Sequence, residues 1–355
     1  MAVSLTRRSF GQLSTGEDVA AFDLSRDGIS ITVMSFGAGL QAVRVPDAQG
    51  RSEDVTLGYD DLEQYERVPQ HFGVSVGRFA NRIAKGRFTL DGKTYELETN
   101  NGPNHLHGGS SGFGMRNWRV DGHGEAPNPF VVFALTSPDG DAGYPGKVEA
   151  RARYELTAPG ELTLTYEATT DAPTIVNLTN HVYFNLGGPD AGAVLDHEVA
   201  IAAETYLPTD KTAIPTGERR PVLGTPFDFR APRSIAEGVR DGSDEQIRIG
   251  RGFDHCYCLA DKHRKEPVSA VRLTDRRSGR CLDFLTTAPG VQFYSGNFLD
   301  GTAAGKKGRM IRQGDGLCIE PQLFPDSPNQ PDFPTARLDP GETFSQVSVY
   351  RFGTL

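Results

Sequence analysis

Two imidazoles and two carboxylates stand out as the groups of this chain that could do chemistry. They are His107 in NHLHGG, His181 in NLTNHVYFNLGG, Asp254 in GFDHCYCL and Glu320 in LCIEPQLFPDSPNQ. Asn81 and Arg82 in GRFANRIAKG, and a further imidazole at His105, lie in similar glycine- and asparagine-rich settings. Gathered in one place, such groups supply both an acid and a base near neutral pH, which is chemistry done by proton transfer.

Each group also has an ordinary reading. His181 lies in an apolar, strand-like run, where a histidine is commonly a hydrogen-bonded interior residue; Asn177, Asn180 and Asn185 are placed to orient such a ring and fix its tautomer. His105 and His107 alternate as on one strand face, a spacing that also fits a metal, but the continuation GGSSGFGMRNW offers no carboxylate to complete the set. Glu320 is either a strand-end glutamate in water or a carboxyl in a partly dry pocket, where its pKa would rise toward that of a working base. Asp254 has the same two readings, with an Asp–His or Asp–Arg pair as the plain one. Arg78 and Arg82 are solvated surface residues, or a fork of donors gripping sugar hydroxyls or a catalytic carboxylate. The glycines of HGGSSGFG read as a tight loop with backbone close to a ligand. Phosphate-loop, dinucleotide, G-x-S-x-G and H-E-x-x-H signatures are absent from the sequence.

Strands must carry these groups. ELTLTYEAT alternates Leu162, Leu164 and Tyr166 with polar residues, the period of a half-buried strand. RFTLDGKTYEL reads as a hairpin closed by Asp91-Gly92, with Phe88 facing Tyr95 and Leu90 and Leu97 on their side of the sheet. ISITVMSFGAGLQAVRVP begins as a strand that breaks at Gly37 and Gly39, and QVSVYRF closes the chain as another. Helical signal is confined to DDLEQYERV and SIAEGVRD. With 41 glycines and 23 prolines punctuating short strands, the pattern predicts an all-β sandwich or barrel. No linker is visible, so residues 1–355 are expected to form one domain that gathers the scattered motifs.

The bulk numbers bound the rest. A chain of 355 residues, 37% hydrophobic and 23% charged, buries a core without disulfides or metals. Its 46 acidic and 37 basic residues leave a net charge of -9, no electrostatic basis for binding nucleic acid or an anionic membrane. The opening MAVSLTRRSFGQLSTGEDVAAFDL lacks an export-length apolar run, and Cys256, Cys258, Cys281 and Cys318 lack zinc-ribbon spacing. A cytoplasmic protein with reduced thiols is the expectation.

In combination these segments resemble the aldose 1-epimerase (galactose mutarotase) family, from about Phe36 to Phe352. The resemblance rests on GRFANRIAKGRFTLDGKTYEL, NHLHGGSSGFG, NLTNHVYFNLGG, YLPTDKTAIPTG, TPFDFR, GFDHCYCL, GVQFYSGNFLDG and CIEPQLFPDSPNQPDFP, occurring in that order. It implies a large single-domain β-sandwich of the galactose mutarotase-like kind with a few short helices, and a cofactor-independent isomerase that interconverts the α and β anomers of free aldohexoses. It further implies Glu320 as general base toward the anomeric hydroxyl, His181 as general acid toward the ring oxygen, and His107 as an aid near that oxygen. Asn81, Arg82, Asp254 and Gln292 match positions that bind hydroxyls or brace these groups; His105 is not carried over. Pro321, and Cys256-Tyr257 after Asp254-His255, depart from the commoner pattern and bear on sugar preference.

Three other readings stand beside this one: an epimerase of a sugar phosphate or another aldose, a non-catalytic sugar-binding module on the same scaffold, and a metal-dependent enzyme using His105, His107 and His181. The acid–base pair argues against the binding module, since binding alone needs no such pair. No metal or other cofactor is required by the expected chemistry. Oligomeric state and preferred aldose are not readable from the sequence.

Overall fold

The computed structural model describes residues 3–355 and is built from antiparallel strands in three main sheets. The largest has nine strands, in the spatial order Arg119–Gly124, Phe130–Ser137, Val148–Ala158, Glu161–Thr170, Phe344–Thr354, Arg280–Thr286, Val268–Thr274, Glu198–Ile201 and Arg233–Ser234. A five-stranded sheet is made by the N-terminal segment, running in chain order from Val3–Gln12 to Ser52–Asp54. The six-stranded sheet that matters most for chemistry runs Tyr183–Phe184, Leu317–Gln322, Gly290–Tyr294, Asp254–Cys258, Thr205–Tyr206 and Arg220–Pro221.

Period-two patterning explains how the sheets associate. Leu162, Leu164 and Tyr166 are buried on alternate positions of their strand, as the sequence predicts. They join one continuous apolar core with Phe22 and Ile31 of the five-stranded sheet, Tyr154 and Phe284 of the nine-stranded sheet, and Val291, Phe293 and Ile319 of the six-stranded sheet. Removing this much apolar surface from water is the dominant favourable term in holding the sheets face to face.

Local expectations are met with two adjustments. The hairpin turns at Asp91 and Gly92, both at positive φ, and pairs Phe88 with Tyr95, whose rings stack at 5.3 Å. The strand Ile29–Met34 does stop before Gly37, but Gly39 opens the next strand, Gly39–Pro46, and so does not break one. Gly37 (φ +62) is fixed there by space, since a Cβ would lie 2.7 Å from the Gly114 carbonyl oxygen and Val74. DDLEQYERV contains the helix Leu62–Arg67, whose first turn is capped by Asp61 accepting from the Gln64 amide. SIAEGVRD gives only one 3-10 turn, Ile235–Glu237, held by a Ser234–Glu237 capping box. A second helix, Glu245–Gly250 capped by Asp244, was not signalled by apolar periodicity because it is too short to show one. Among the described residues no helix is long and apolar enough to cross a membrane.

Candidate active site

The six-stranded sheet has two chemically opposite faces. Glu320 pairs across the ladder with Gln292, which pairs with Cys256; Tyr294 lies opposite both Cys318 and Asp254. Alternation therefore puts Cys318, Glu320, Gln292, Tyr294 and Asp254 on one face, and sends Leu317, Ile319, Val291 and Phe293 into the core on the other. His181 reaches the polar face from the short link between Thr179–Asn180 and Tyr183–Phe184. Its backbone is clamped by its amide donating to the Val74 carbonyl and by its carbonyl accepting from the Gly73 amide, both at 3.0 Å. His107 follows the strand His105–Leu106 at φ +56, and that left-handed step swings its ring away from the strand face and toward His181.

These side chains surround a cavity of about 230 Å³, lined by His71, Asn81, Arg82, His107, His181, Asp254 and Glu320 together with Tyr183, Tyr294 and Phe298. That is smaller than the ~300–1,000 Å³ of drug-sized sites and fits a small molecule such as a single sugar ring. His181 Nε2 lies 3.7 Å from Glu320 Oε2, and donor atoms of His107, His181 and Glu320 all fall within 4.8 Å of one another. Glu320 is only 2% exposed, and its Oε2 has no hydrogen-bond partner among the described residues.

Burial sets the protonation of the two carboxyls and the imidazoles. Desolvation, reinforced by the charge of Asp254 and opposed by Arg82, holds the Glu320 carboxyl well above the ordinary carboxylate range. Asp254 is also raised by burial, against the pull of Arg82 and of the Gln292 amide that donates to its Oδ1 at 2.7 Å. Burial, with His71 adding to it, lowers His181 to about 3, and His107 is pushed well below its ordinary value by burial and by the neighbouring imidazoles. His107 Nδ1 accepts from the Asn81 amide at 3.2 Å, so the neutral ring carries its proton on Nε2. Around them Asn81 Oδ1 accepts from the Arg82 amide (2.8 Å), and Arg82 Nε donates to Asn101 Oδ1 (3.0 Å). The site thus gathers titratable carboxyls and imidazoles with neutral donors in a largely buried pocket, the components that proton transfer requires.

Six of the seven residues expected from the sequence (Asn81, Arg82, His107, His181, Asp254 and Glu320) line this one cavity. Gln292 does not line it, but holds Asp254 from the side. Other expectations are corrected. His105 is buried away from the cavity, its Nδ1 on the Glu98 carbonyl and its Nε2 on the Tyr144 hydroxyl, each at 2.7 Å, so the set His105, His107 and His181 does not assemble. Asn177, Asn180 and Asn185 bond backbone atoms and Tyr154, not the His181 ring, whose Nδ1 instead faces Cys318 Sγ at 3.5 Å. Arg78 is buried and binds the carbonyls of Ser137, Pro138, Pro145 and Gly146, a structural strut. In HGGSSGFG the crowding is with the protein's own chain: a Cβ on Gly108 would meet the Gly77 carbonyl oxygen at 1.9 Å.

Sequence reasoning missed His71, Asn101, Tyr183, Tyr294 and Phe298. Period two pointed to Tyr294, two residues beyond Gln292 on the same face; His71, in a turn, carries no periodic signal. A larger cavity of about 450 Å³ lies around Lys306, but that ammonium is already engaged by Asp54, the Gln41 carbonyl and Thr56, and among the described residues no imidazole lines it.

Comparison with known proteins identifies the family and the fold. The family model described as aldose 1-epimerase matches residues 21–351. Galactose mutarotase of Mus musculus is 46% identical over 351 residues, covering 99% of each chain, and aldose 1-epimerase of Escherichia coli K12 is 40% identical over 328 residues, covering 92% of each. A solved aldose epimerase homologue from C. elegans covers both chains completely at a TM-score of 0.85 and 32% identity. A galactose 1-epimerase from Lactobacillus acidophilus NCFM reaches 0.87 at 29% identity over 99% of each chain. The fold is the galactose mutarotase-like β-sandwich, and the chain belongs to the aldose 1-epimerase family.

Proposed function

We infer that this protein is an isomerase that interconverts the anomers of free aldohexoses such as glucose and galactose, with Glu320 and His181 as its acid–base pair. The observation that carries the division of labour is the 3.7 Å separation of two buried groups at one end of a sugar-sized cavity. Opening a pyranose requires a proton to leave the C1 hydroxyl and another to reach the ring oxygen as the C1–O5 bond breaks. Glu320 as carboxylate takes the first, and His181 as imidazolium gives the second, leaving an aldehyde. Rotation about C1–C2 exposes the other face of the carbonyl. His181 then removes the proton from the C5 hydroxyl as it attacks C1, and Glu320 returns its proton to the C1 oxygen.

The pair begins and ends each turnover with one proton between them, so no net charge enters the buried site. In the empty site that proton rests on Glu320, as the raised carboxyl and lowered imidazole both indicate. The charge-separated form is reached when substrate hydroxyls and the neutral Nε2–H of His107 stand in for lost water. Asn81, Arg82 and Asp254 serve as hydroxyl partners, with Gln292 fixing Asp254. A reaction taking hours unaided faces a barrier of about 23 kcal/mol, and about a thousand turnovers per second requires removing roughly 9–10 of it. Acid and base terms of ~10²–10⁴ each, with positioning, cover that.

A free sugar is favoured over a sugar phosphate because, among the described residues, Arg82 is the one lysine or arginine lining the cavity, and Asn101 already engages it. The reading treats residues 1–355 as one domain, since the cavity draws on residues from Asn81 to Glu320 and one core joins all three sheets. The four unpaired cysteines fit a cytoplasmic setting. Polarimetry of freshly dissolved α-glucose and α-galactose tests the activity: optical rotation should decay faster with protein, and far less so for glucose 6-phosphate. No acceleration with any common aldose would contradict the assignment.

A further inference from the structure

We propose that His71 is a sugar-binding residue of this site, hydrogen-bonding the C6 hydroxyl of an aldohexose; the proposal rests on the roles given to His107 and His181 above. His71 lines the cavity, its ring 5.0 Å from that of His107 and 5.6 Å from that of His181. Those two rings are the ones assigned to the pyranose ring oxygen. On a pyranose, the substituents flanking that oxygen are the anomeric hydroxyl on C1, which Glu320 takes, and the hydroxymethyl group on C5. An imidazole packed beside both histidines is therefore next to C6.

The backbone around His71 is built to present it. His71 adopts φ +58, a left-handed conformation unfavourable for a non-glycine residue and held by its surroundings. Its carbonyl accepts from the Val74 amide at 3.3 Å, closing a tight turn. The next residue, Phe72, is 1% exposed, with its ring 5.0 Å from that of Tyr183. Gly73 admits no side chain, because a Cβ would sit 2.0 Å from the Leu40 carbonyl oxygen, and its amide is bonded to the His181 carbonyl. The turn is thus fastened to the same backbone that carries His181.

What is left free is the His71 ring. Among the described residues neither of its nitrogens has a hydrogen-bond partner, whereas those of His105 are both taken and those of His107 and His181 are each engaged at Nδ1. Burial lowers its pKa to about 4, so near neutral pH the ring offers one donor and one acceptor, the complement of a hydroxyl. The rings packed against it are those of His107 and His181, neither a fixed charge.

The experiment is polarimetric determination of KM and kcat for glucose and 6-deoxyglucose, using the unmodified protein, His71→Phe and His71→Asn. Thermal midpoints confirm that each variant is folded. The unmodified protein should bind glucose about 3- to 10-fold better than 6-deoxyglucose by KM, the range of one neutral hydrogen bond. His71→Phe should close or reverse that gap by raising KM for glucose with kcat within about twofold. His71→Asn tolerates the left-handed backbone and retains both hydrogen-bonding functions, so it should keep part of the gap. Equal KM values for the two sugars in the unmodified protein, or an unchanged gap in His71→Phe, would overturn the proposal while leaving the acid–base pair intact. Failure of the unmodified protein to accelerate either sugar would overturn both.

Discussion

Ile319 and Glu320 are neighbours in one strand, 1% and 2% exposed, yet they face opposite sides of the same sheet and do opposite things. Ile319 packs into the apolar core that joins the three sheets. Glu320 is equally dry but leaves an acceptor unpaired beside an imidazole and another carboxyl, an arrangement that costs stability. One face of the sheet is spent on holding the fold together; the other is kept in a destabilised state from which protons can move.

The contrast can be broken at either residue. Glu320→Gln is nearly isosteric and removes the base, so kcat by polarimetry should fall by about 10²–10⁴ with the fold intact. Ile319→Ala should behave the other way, losing about 2–5 kcal/mol in denaturant unfolding while the folded fraction turns over at near the original rate. If Ile319→Ala abolished turnover in a fully folded sample, the two faces would not be separable as described.

A smaller effect tests the energetic half of the comparison. A carboxyl whose folded pKa lies above its ordinary 4.5 binds more protons folded than unfolded. Its contribution to stability is therefore fully present below that ordinary value and is lost as pH rises through the folded pKa. Glu320→Gln should accordingly become more stable relative to the unmodified protein as pH increases above about 4.5, as read from unfolding midpoints. A difference that shrinks with rising pH would contradict a buried, raised carboxyl.

The same linkage shapes activity. The one-proton pair persists from about pH 3, where His181 of the free protein would take a second proton, up to the raised value of Glu320. kcat/KM should thus show no acid limb near 6.5, the ordinary histidine value; its acid limb should lie near 3 and its other decline on the alkaline side. Smaller still, Gln292→Ala frees Asp254 while leaving Glu320 and His181 themselves in place, and should raise KM several-fold with a smaller change in kcat.

How much of this was legible in the sequence follows from periodicity. Strands with strict alternation, such as Glu161–Thr170, announce themselves, and so does the Asp91-Gly92 hairpin, because local steric rules fix both. The polar motifs could be named one by one and ordered by family resemblance, and six of their residues do line one cavity. Side-chain direction in irregular segments could not be read. His107 leaves its strand through a positive φ, His105 stays behind on Tyr144, and Arg78 turns inward to backbone carbonyls, none of which a two-residue period encodes. Nor could long-range partners be read: the group facing His181 Nδ1 is Cys318, 137 residues away, while the nearby asparagines serve the backbone.

The central claim is that Glu320 and His181 work as one proton-sharing unit. Polarimetric kcat for Glu320→Gln, His181→Gln and the double variant tests it most directly, because groups acting as a unit lose most of their effect when either is removed. The double variant should be scarcely slower than the slower single one. Losses that multiply, or a single variant that keeps the full rate, would contradict the shared role.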